Sequence, residues 1–174
     1  MKTEKAYFAG GCFWCLEASF RLVPGVVEVI SGYAGGSTKS PSYDQVSSGM
    51  TGHTETVEVE YDPAKVSYDK LLELFFKLHD PSQKDRQGND IGTQYRSAIF
   101  YTSEEQQKLA EAKLTELKES GIYREVFTEL LPLEYFWPAE DYHQYYFEKH
   151  PDQAYCQMVV RPKIEKTVEY LEKR

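Results

Sequence analysis

Alternating apolar and polar residues predict a β-strand near the middle of the chain. In residues 56–61, charged or polar side chains alternate with the apolar Val57, Val59 and Tyr61, as in a strand that buries one face. Counting back by two places Glu55 on the same apolar face. Burial disfavours a charged carboxyl group, so it would raise the pKa of Glu55 and leave it able to donate a proton near neutral pH. If the strand begins one residue later, Glu55 lies in solvent instead, and the pattern leaves both possibilities open.

Apolar residues that recur at spacings of three and four predict helices elsewhere in the chain. The first predicted helix starts at Cys12, is stopped by Pro24-Gly25, and has an apolar face formed by Phe13, Leu16, Phe20 and Val23. A second helix is predicted over residues 68–79. The sequence Ser103-Glu104-Glu105-Gln106 has the form of a capping box and opens a third helix, which Gly121 ends. Residues 141–150 predict an aromatic-rich helix stopped by Pro151.

Short apolar or β-branched runs predict further strands, at residues 6–9, 26–30, 96–101 and 125–131. The segment 37–52 has no periodicity, and a loop of that length in a compact domain is usually functional or disordered. A second loop is predicted over 80–93. No repeat or linker marks a domain boundary, so residues 1–174 predict a single domain. Interleaved helices and strands of this kind predict an α+β fold of two layers, in which helices pack on a mixed, mainly antiparallel sheet.

Composition limits the classes of function and location. The net charge of −8 and the isoelectric point near 5.1 argue against nucleic acid as a partner, because such binding depends on Lys and Arg neutralising phosphates. Three cysteines in 174 residues are too few for a disulfide scaffold, and the odd number leaves a free thiol, as in a reducing compartment. Neither a long apolar N-terminal region nor a membrane-spanning apolar run is evident. We therefore expect a soluble, cytoplasmic protein without a membrane partner, and a monomer.

Cys12 is the candidate nucleophile because of the residues around it. It lies in Gly10-Gly11-Cys12-Phe13-Trp14-Cys15, where a predicted strand turns at paired glycines into a predicted helix. In the first turn of that helix, unpaired backbone N–H groups and the helix dipole would favour the thiolate, the form that attacks electrophiles. A buried structural cysteine is the commoner fate of a free thiol, but it would need neither the glycines nor the helix start.

Six motifs in this order resemble those of the peptide methionine sulfoxide reductase A family. They are Gly11-Cys12-Phe13-Trp14 with Glu17, Gly32-Tyr33-Ala34-Gly35-Gly36, Pro41-Ser42-Tyr43, Thr51-Gly52-His53-Thr54-Glu55, the run from Gly88 to Ser97, and Asp141-Tyr142-His143-Gln144-Tyr145. These matches extend over most of the chain and are far more specific than a lone CxxC. The resemblance implies a ferredoxin-like core and the reduction of methionine S-sulfoxide, free or in oxidised proteins, to methionine.

The resemblance also implies a role for each matched residue. Cys12 would attack the sulfoxide sulfur as a thiolate, and Glu55 would protonate the oxygen. The remaining residues would form the pocket: Tyr43, Asp90 and Tyr95 on the side of the oxygen, and Phe13 and Trp14 around the methyl group. A methyl group gains from apolar burial, whereas a buried S–O bond must be hydrogen-bonded, so this division is physically sensible.

Two further matched residues are expected to support the site without touching the substrate. Glu17 is expected to form an ordinary surface pair with Arg21, four residues further along the helix. His143 is expected to be hydrogen-bonded and to help build the pocket.

Attack on the sulfoxide would leave Cys12 as a sulfenic acid, which a second thiol converts to a disulfide. Cys156 resembles the family's C-terminal recycling cysteine and is the preferred thiol, because an extended, mobile segment from about residue 151 could swing toward Cys12. Cys15 is the alternative, although many family members have glycine there and closing Cys12 to Cys15 would rearrange the helix start. The resemblance implies no bound cofactor and no metal. It implies thioredoxin, or dithiothreitol in vitro, as the external reductant.

Two weaker hypotheses stay open beside the resemblance. A thioredoxin-type thiol–disulfide oxidoreductase would use the Cys12-x-x-Cys15 pair, but it would leave the segments around Glu55, Asp90 and Tyr95 unexplained. A zinc-binding module would combine the three cysteines with a histidine, but the second close pair of ligands that zinc sites commonly have is missing.

Overall fold

The computed structural model describes residues 2–173 and contains eight β-strands and six α-helices within them. The strands are β1 (Glu4–Ala9), β2 (Val26–Ala34), β3 (Thr54–Tyr61), β4 (Arg86–Gln87), β5 (Asp90–Ile91), β6 (Ala98–Tyr101), β7 (Glu129–Pro132) and β8 (Phe136–Pro138). The helices are α1 (Phe13–Phe20), α2 (Tyr43–Ser47), α3 (Tyr68–Leu78), α4 (Glu104–Glu119), α5 (Tyr146–Lys149) and α6 (Arg161–Glu172). Short 3₁₀ turns lie at Thr93–Tyr95 and Asp141–His143, and a π-helical turn at Cys156–Val160 leads into α6.

Six strands form one mixed sheet in the order β7-β6-β1-β3-β2-β8. Only β6 and β7 are parallel neighbours in this sheet, and the other pairs are antiparallel. The elements β1-α1-β2-β3-α3-β6 place their four strands in the order β6-β1-β3-β2, which is the ferredoxin-like arrangement. The predicted α+β fold with a mainly antiparallel sheet and a ferredoxin-like core is therefore confirmed.

The two faces of the sheet bury different sets of side chains. On the helical face, Phe8 of β1 stacks on Phe20, Tyr68 and Phe75, with ring centroids 5.0–6.0 Å apart. Alternate residues of β1 point the other way, so Tyr7 and Ala9 join a smaller cluster that Leu133 and Phe136 cover. The period-two pattern of the strands thus separates a large core under the helices from a small one under the loops.

Strand β3 begins at Thr54, so Glu55 lies inside it. Glu55 is 1% exposed and pairs with Tyr33 on β2. The prediction that Glu55 lies on the buried face, from the alternation counted back from Tyr61, is therefore confirmed. The alternative in which Glu55 lies in solvent is wrong.

The segments predicted to be loops contain short elements that periodicity could not reveal. Helix α2 lies within 37–52, where the Ser42 side chain and the Gln45 side chain form a reciprocal capping box. Residues 80–93 contain a short antiparallel hairpin of β4 and β5, in which each strand has two residues. At the start of α4 only half of the predicted capping box forms, because the Gln106 side chain accepts from the Thr102 N–H instead of that of Ser103.

The predicted helix over 141–150 is wrong for most of its length. A 3₁₀ turn is followed by extended Gln144 and by Tyr145 in the left-handed region, with φ 55°, before α5 begins. The Gln144 amide forms two hydrogen bonds with the Ser31 backbone on β2, at 3.0 and 2.9 Å. These tertiary bonds override the helical periodicity of the aromatic residues.

Gly32 on β2 is required by close packing. A Cβ atom there would lie 2.4 Å from the Phe136 ring and 2.5 Å from the Trp137 carbonyl oxygen. The glycine therefore lets β8 approach β2 at the edge of the sheet.

The C-terminal segment is helical from Cys156 to Glu172, and Cys156 is completely buried. An extended segment was expected here; its mobility stays a prediction. None of the helices within residues 2–173 combines the length and the apolar character needed to cross a membrane.

Candidate active site

Cys12 lies at the junction of β1 and α1, but it is not in the first helical turn as predicted. It is the N-cap residue, with φ −68° and ψ 130°, and its carbonyl oxygen accepts from the Cys15 N–H at 3.1 Å. Gly11 before it has φ 85°, a left-handed conformation that favours glycine. The Gly11 N–H donates to the Tyr95 carbonyl oxygen at 3.2 Å, which ties the Cys12 turn to the 93–95 segment.

Burial decides the charge of Cys12 more than the helix start does. Cys12 is 9% exposed. Burial, followed by the negative charge of Glu55, raises the pKa of the Cys12 thiol well above its ordinary value, while hydrogen bonds with the Trp14 backbone and the Tyr155 hydroxyl oppose this. In this state burial and the nearby Glu55 outweigh the helix N-terminus, which was predicted to favour the thiolate, and they favour the neutral thiol.

Glu55 is positioned behind Cys12 by the first turn of α1. The Phe13 N–H donates to its carboxyl group at 3.1 Å, and the Cys12 thiol is also a hydrogen-bond partner. Burial raises the pKa of Glu55 to about 8, and the Phe13 and Cys12 contacts lower it by less. As the sequence predicted, this carboxyl group can hold a proton near neutral pH.

Three polar residues predicted for the oxygen side lie close to Cys12 and Glu55. Burial, followed by the charge of Glu55, raises the pKa of both Tyr43 and Tyr95. Charges on Cys12 and Asp90 act in the same direction on both phenols, so the five groups form one cluster. Both tyrosines therefore keep their O–H protons and can donate hydrogen bonds.

Phe13 and Trp14 lie on the aromatic side of the site, but they differ in exposure. Phe13 is completely buried, whereas Trp14 is partly exposed. The Trp14 indole stacks face to face on Tyr146, with centroids 3.6 Å apart, and its Nε1–H donates to His143 Nδ1 at 3.2 Å. This hydrogen bond fixes the orientation of the indole, as expected for a supporting His143.

Sequence reasoning did not single out Tyr155, which covers the site from the C-terminal segment. Its hydroxyl donates to Asp90 Oδ2 at 2.5 Å and also hydrogen-bonds Cys12. Its ring meets the edge of Trp14 at 5.7 Å. The only sequence signal was its place directly before Cys156. Tyr155 shares a cleft of about 580 Å³ with Cys12, Cys15 and Asp90.

Lys163 of α6 is a second residue that the sequence did not reveal. It lines the same cleft, and its Nζ donates to the Leu78 carbonyl oxygen. Burial raises the pKa of Cys15 to about 12, and the positive charge of Lys163 opposes that rise. The sequence contains no signal that Lys163, one of several charged residues in an amphipathic helix, lies near the buried Cys15 thiol.

The three cysteines are all free and buried. Charges on Cys12 and on Cys156 both interact with Cys15, so Cys15 lies close to each of the other two thiols. The zinc-module hypothesis requires a group of three or more His, Cys, Asp or Glu side chains placed to hold a metal ion. Within residues 2–173 there is no such group.

Glu17 is not the ordinary surface residue that was predicted. It is 1% exposed, and its carboxylate accepts from Arg21 at 2.9 Å and from the Tyr145 N–H at 2.7 Å. Burial raises the pKa of Glu17 even beside Arg21. The carboxylate thus holds Tyr145 in its left-handed conformation, next to the Tyr146 ring that stacks on Trp14.

We expect Glu17→Gln to lower the free energy of unfolding by about 1–3 kcal/mol, because Arg21 and the Tyr145 N–H lose a charged acceptor. Urea titration measures the change. Glu111→Gln on the exposed face of α4 is the matched control and should stay within about 0.5 kcal/mol of the unchanged protein. Equal stability of both variants would show that the buried network contributes nothing.

Glu140 is a further residue that no motif indicated. Its carboxylate accepts from the Tyr33 hydroxyl and from the Tyr43 N–H, each at 2.9 Å. It therefore fixes the start of α2 and, with it, the position of Tyr43.

Comparisons with known proteins show which family the chain resembles over nearly its whole length. The family model for peptide methionine sulfoxide reductase matches residues 4–174. Peptide methionine sulfoxide reductase MsrA of Nautilia profundicola is 59% identical over 162 residues, which cover 93% of this chain and 92% of that protein. The crystal structure of Mxr1 from Saccharomyces cerevisiae in reduced form is similar with a TM-score of 0.81 and 35% identity, covering 89% of this chain and 90% of Mxr1.

The structure of yeast Mxr1 in complex with Trx2 is also similar, with a TM-score of 0.57, 27% identity, and coverage of 83% of this chain and 85% of that one. The family match and the high identity over nearly the whole chain identify the class of enzyme. The chain belongs to the peptide methionine sulfoxide reductase family and is an oxidoreductase.

Proposed function

We propose that this chain reduces the S epimer of methionine sulfoxide, free or in oxidised proteins, with Cys12 as the nucleophile and Glu55 as the proton donor. The observation that supports this most is the contact between a buried Cys12 thiol and a carboxyl group whose pKa is raised to about 8. Family membership supports the substrate class.

The proposed reaction begins with a proton transfer. Glu55 protonates the sulfoxide oxygen, which makes the sulfur electrophilic, and the tyrosine hydroxyls of Tyr43 and Tyr95 stabilise that oxygen. Cys12 attacks the sulfur, and its thiol proton passes to the Glu55 carboxylate. The attack forms a bond between the Cys12 sulfur and the substrate sulfur. The hydroxyl group then moves from the substrate sulfur to the Cys12 sulfur as this S–S bond breaks, so methionine leaves and Cys12 holds the oxygen as a sulfenic acid. One thiol is oxidised and one sulfoxide is reduced, so the electrons balance.

The Cys12 sulfenic acid must then react with a second thiol and release water. Cys15 is the thiol that needs the least movement. The hydrogen bond from the Cys15 N–H to the Cys12 carbonyl closes a turn, which keeps the two Cα atoms within about 7 Å, near the range of a disulfide. Cys12 also lies outside the helix, so a disulfide there disturbs α1 less than the sequence suggested.

Cys156 is fully buried in a helical turn, and its charge acts on Cys15 and not on Cys12. We therefore place Cys156 second in the sequence: Cys15 resolves the sulfenic acid, and thiol–disulfide exchange with Cys156 then frees Cys12. Thioredoxin is the proposed final reductant, and the complex of yeast Mxr1 with Trx2 supports this.

This order predicts different intermediates in two cysteine variants. Cys15→Ser should release about one methionine per chain without reductant and accumulate a sulfenic acid that dimedone traps. Cys156→Ser should instead stop as a Cys12–Cys15 disulfide, because no third thiol is left to exchange with it and free Cys12. Dithiothreitol, a small dithiol, should reduce that disulfide more readily than thioredoxin does. Peptide mapping by mass spectrometry identifies each species. A Cys12–Cys156 disulfide after the first turnover, without a trapped sulfenic acid in Cys15→Ser, would contradict the order and restore Cys156 as the first thiol.

The direct test of the function is the reduction of the separated sulfoxide epimers with dithiothreitol and, in a second series, with thioredoxin, thioredoxin reductase and NADPH. Only the S epimer should be reduced in both series. Reduction of insulin disulfides without sulfoxide reduction would instead support a thiol–disulfide oxidoreductase that uses Cys12 and Cys15.

A further inference from the structure

Met158 is an exposed methionine that lines the same cleft as the nucleophile. The residues that line the cleft of about 580 Å³ include Cys12, Cys15, Tyr155 and Met158. Met158 is 76% exposed, so its thioether is open to oxidants in solution. It thus combines the side chain that a methionine sulfoxide reductase acts on with a place beside the reacting thiol.

Met50 offers a natural comparison within the chain. It is even more exposed, at 86%, and lies just after α2, but it does not line the cleft that contains Cys12. The third methionine, Met1, lies outside the described residues. The described residues therefore include two methionines that are similarly open to oxidation but differently placed relative to Cys12.

The segment that carries Met158 is attached to the site by Tyr155. The Tyr155 hydroxyl bonds Asp90 at 2.5 Å and contacts Cys12, and Met158 follows three residues later in the π-helical turn. The Tyr155 and Met158 side chains both line the cleft. A methionine side chain has three rotatable bonds and no branch, so it can extend further into the cleft.

We propose that Met158 is an intramolecular substrate of this enzyme: once it is oxidised, Cys12 of the same chain reduces it. The inference rests on the proposed function, because it uses the same reaction. A peroxide transfers one oxygen atom to the Met158 thioether and leaves as water or an alcohol. Cys12 then takes the oxygen from the sulfoxide and becomes a sulfenic acid, which a second thiol converts to a disulfide and water. An external dithiol reduces that disulfide.

Tethering gives this reaction an advantage over the reduction of other substrates. Met158 already lines the cleft of Cys12, and a group tethered near its reaction partner has an effective concentration of about millimolar. At micromolar enzyme the reduction of Met158 should therefore be roughly a thousandfold faster than reduction between two chains. Oxidation would place a polar sulfoxide two residues from Cys156, and its reduction restores the apolar side chain in that segment.

The test follows both methionines in one sample. The thiols are blocked as methyl disulfides, the methionines are oxidised with hydrogen peroxide, and the peroxide is removed. Dithiothreitol then frees the thiols and supplies electrons. Peptide mass mapping measures how fast each sulfoxide disappears, at protein concentrations that span a range of about fiftyfold. The S-sulfoxide at Met158 should disappear with a rate constant that does not depend on concentration, whereas the rate for Met50 should rise in proportion to it.

A mixture separates reduction within a chain from reduction between chains. Cys12→Ser chains are oxidised in the same way and mixed with unoxidised active enzyme, where Met158 should be repaired no faster than Met50. Concentration-dependent repair of Met158 in the active chain, or equally fast repair in the mixture, overturns the inference. So does a Met158 sulfoxide that persists while the same preparation reduces free methionine sulfoxide. A preparation that reduces neither overturns the proposed function, and the inference with it.

Discussion

Cys12→Ser should abolish the reduction of methionine S-sulfoxide while leaving the fold intact. A serine hydroxyl is a far poorer nucleophile than a thiolate. Cys12 is buried at an N-cap, where serine is a favoured residue, so the change should not weaken α1. Activity is measured as methionine released, and circular dichroism with urea titration checks the fold.

The matched control for this change is Cys15→Ser, one helical turn further on and equally buried. It should still release about one methionine per chain in a single turnover. Retention of sulfoxide reduction by the folded Cys12→Ser variant would refute the assignment of the nucleophile.

Glu55→Gln should lower the turnover rate by about 10²–10⁴-fold at neutral pH, the usual contribution of a general acid. Glutamine keeps the shape and can accept from the Phe13 N–H, but it has no proton to give. The loss should be smaller in acid, where solvent supplies the proton. In the unchanged enzyme, Glu55 loses its proton near pH 8, so the turnover rate should fall at higher pH. The pH profile of the variant should lack this fall in rate.

The raised pKa of Glu55 also predicts how stability changes with pH. The folded protein keeps the Glu55 proton up to about pH 8, whereas the unfolded chain loses it near 4.5. Its contribution to stability is therefore complete below pH 4.5 and is lost as the pH rises toward 8. The difference in free energy of unfolding between Glu55→Gln and the unchanged protein should move in the variant's favour over this range. An identical pH dependence of activity and stability in both proteins would exclude Glu55 as the acid.

The fold could be predicted where one physical signal dominates. The alternation of Val57, Val59 and Tyr61 located β3 and, by parity, the buried face that holds Glu55. The apolar stripe of α3 gave its limits within one residue. Neither signal exists for β4 and β5, because strands of two residues are too short to show an alternation of apolar and polar side chains.

The site was predictable only as far as motifs mark its residues. Cys12, Glu55, Tyr43, Asp90 and Tyr95 were all expected, and the structure brings them together. Tyr155 and Lys163 come from the C-terminal helical segment, whose docking depends on contacts between residues far apart in sequence. Glu17 was predicted to be a surface residue because helical spacing reveals only its pairing with Arg21. The hydrogen bond from the Tyr145 N–H comes from more than a hundred residues further along the chain, so spacing could not reveal it.

The central claim is that Cys12 takes the oxygen from the sulfoxide. The most direct measurement uses the double variant Cys15→Ser/Cys156→Ser, mixed with methionine S-sulfoxide and dimedone in the absence of reductant. One methionine should be released per chain, and mass mapping should find one dimedone adduct, on Cys12. No methionine release, or release without an adduct on Cys12, would contradict this account.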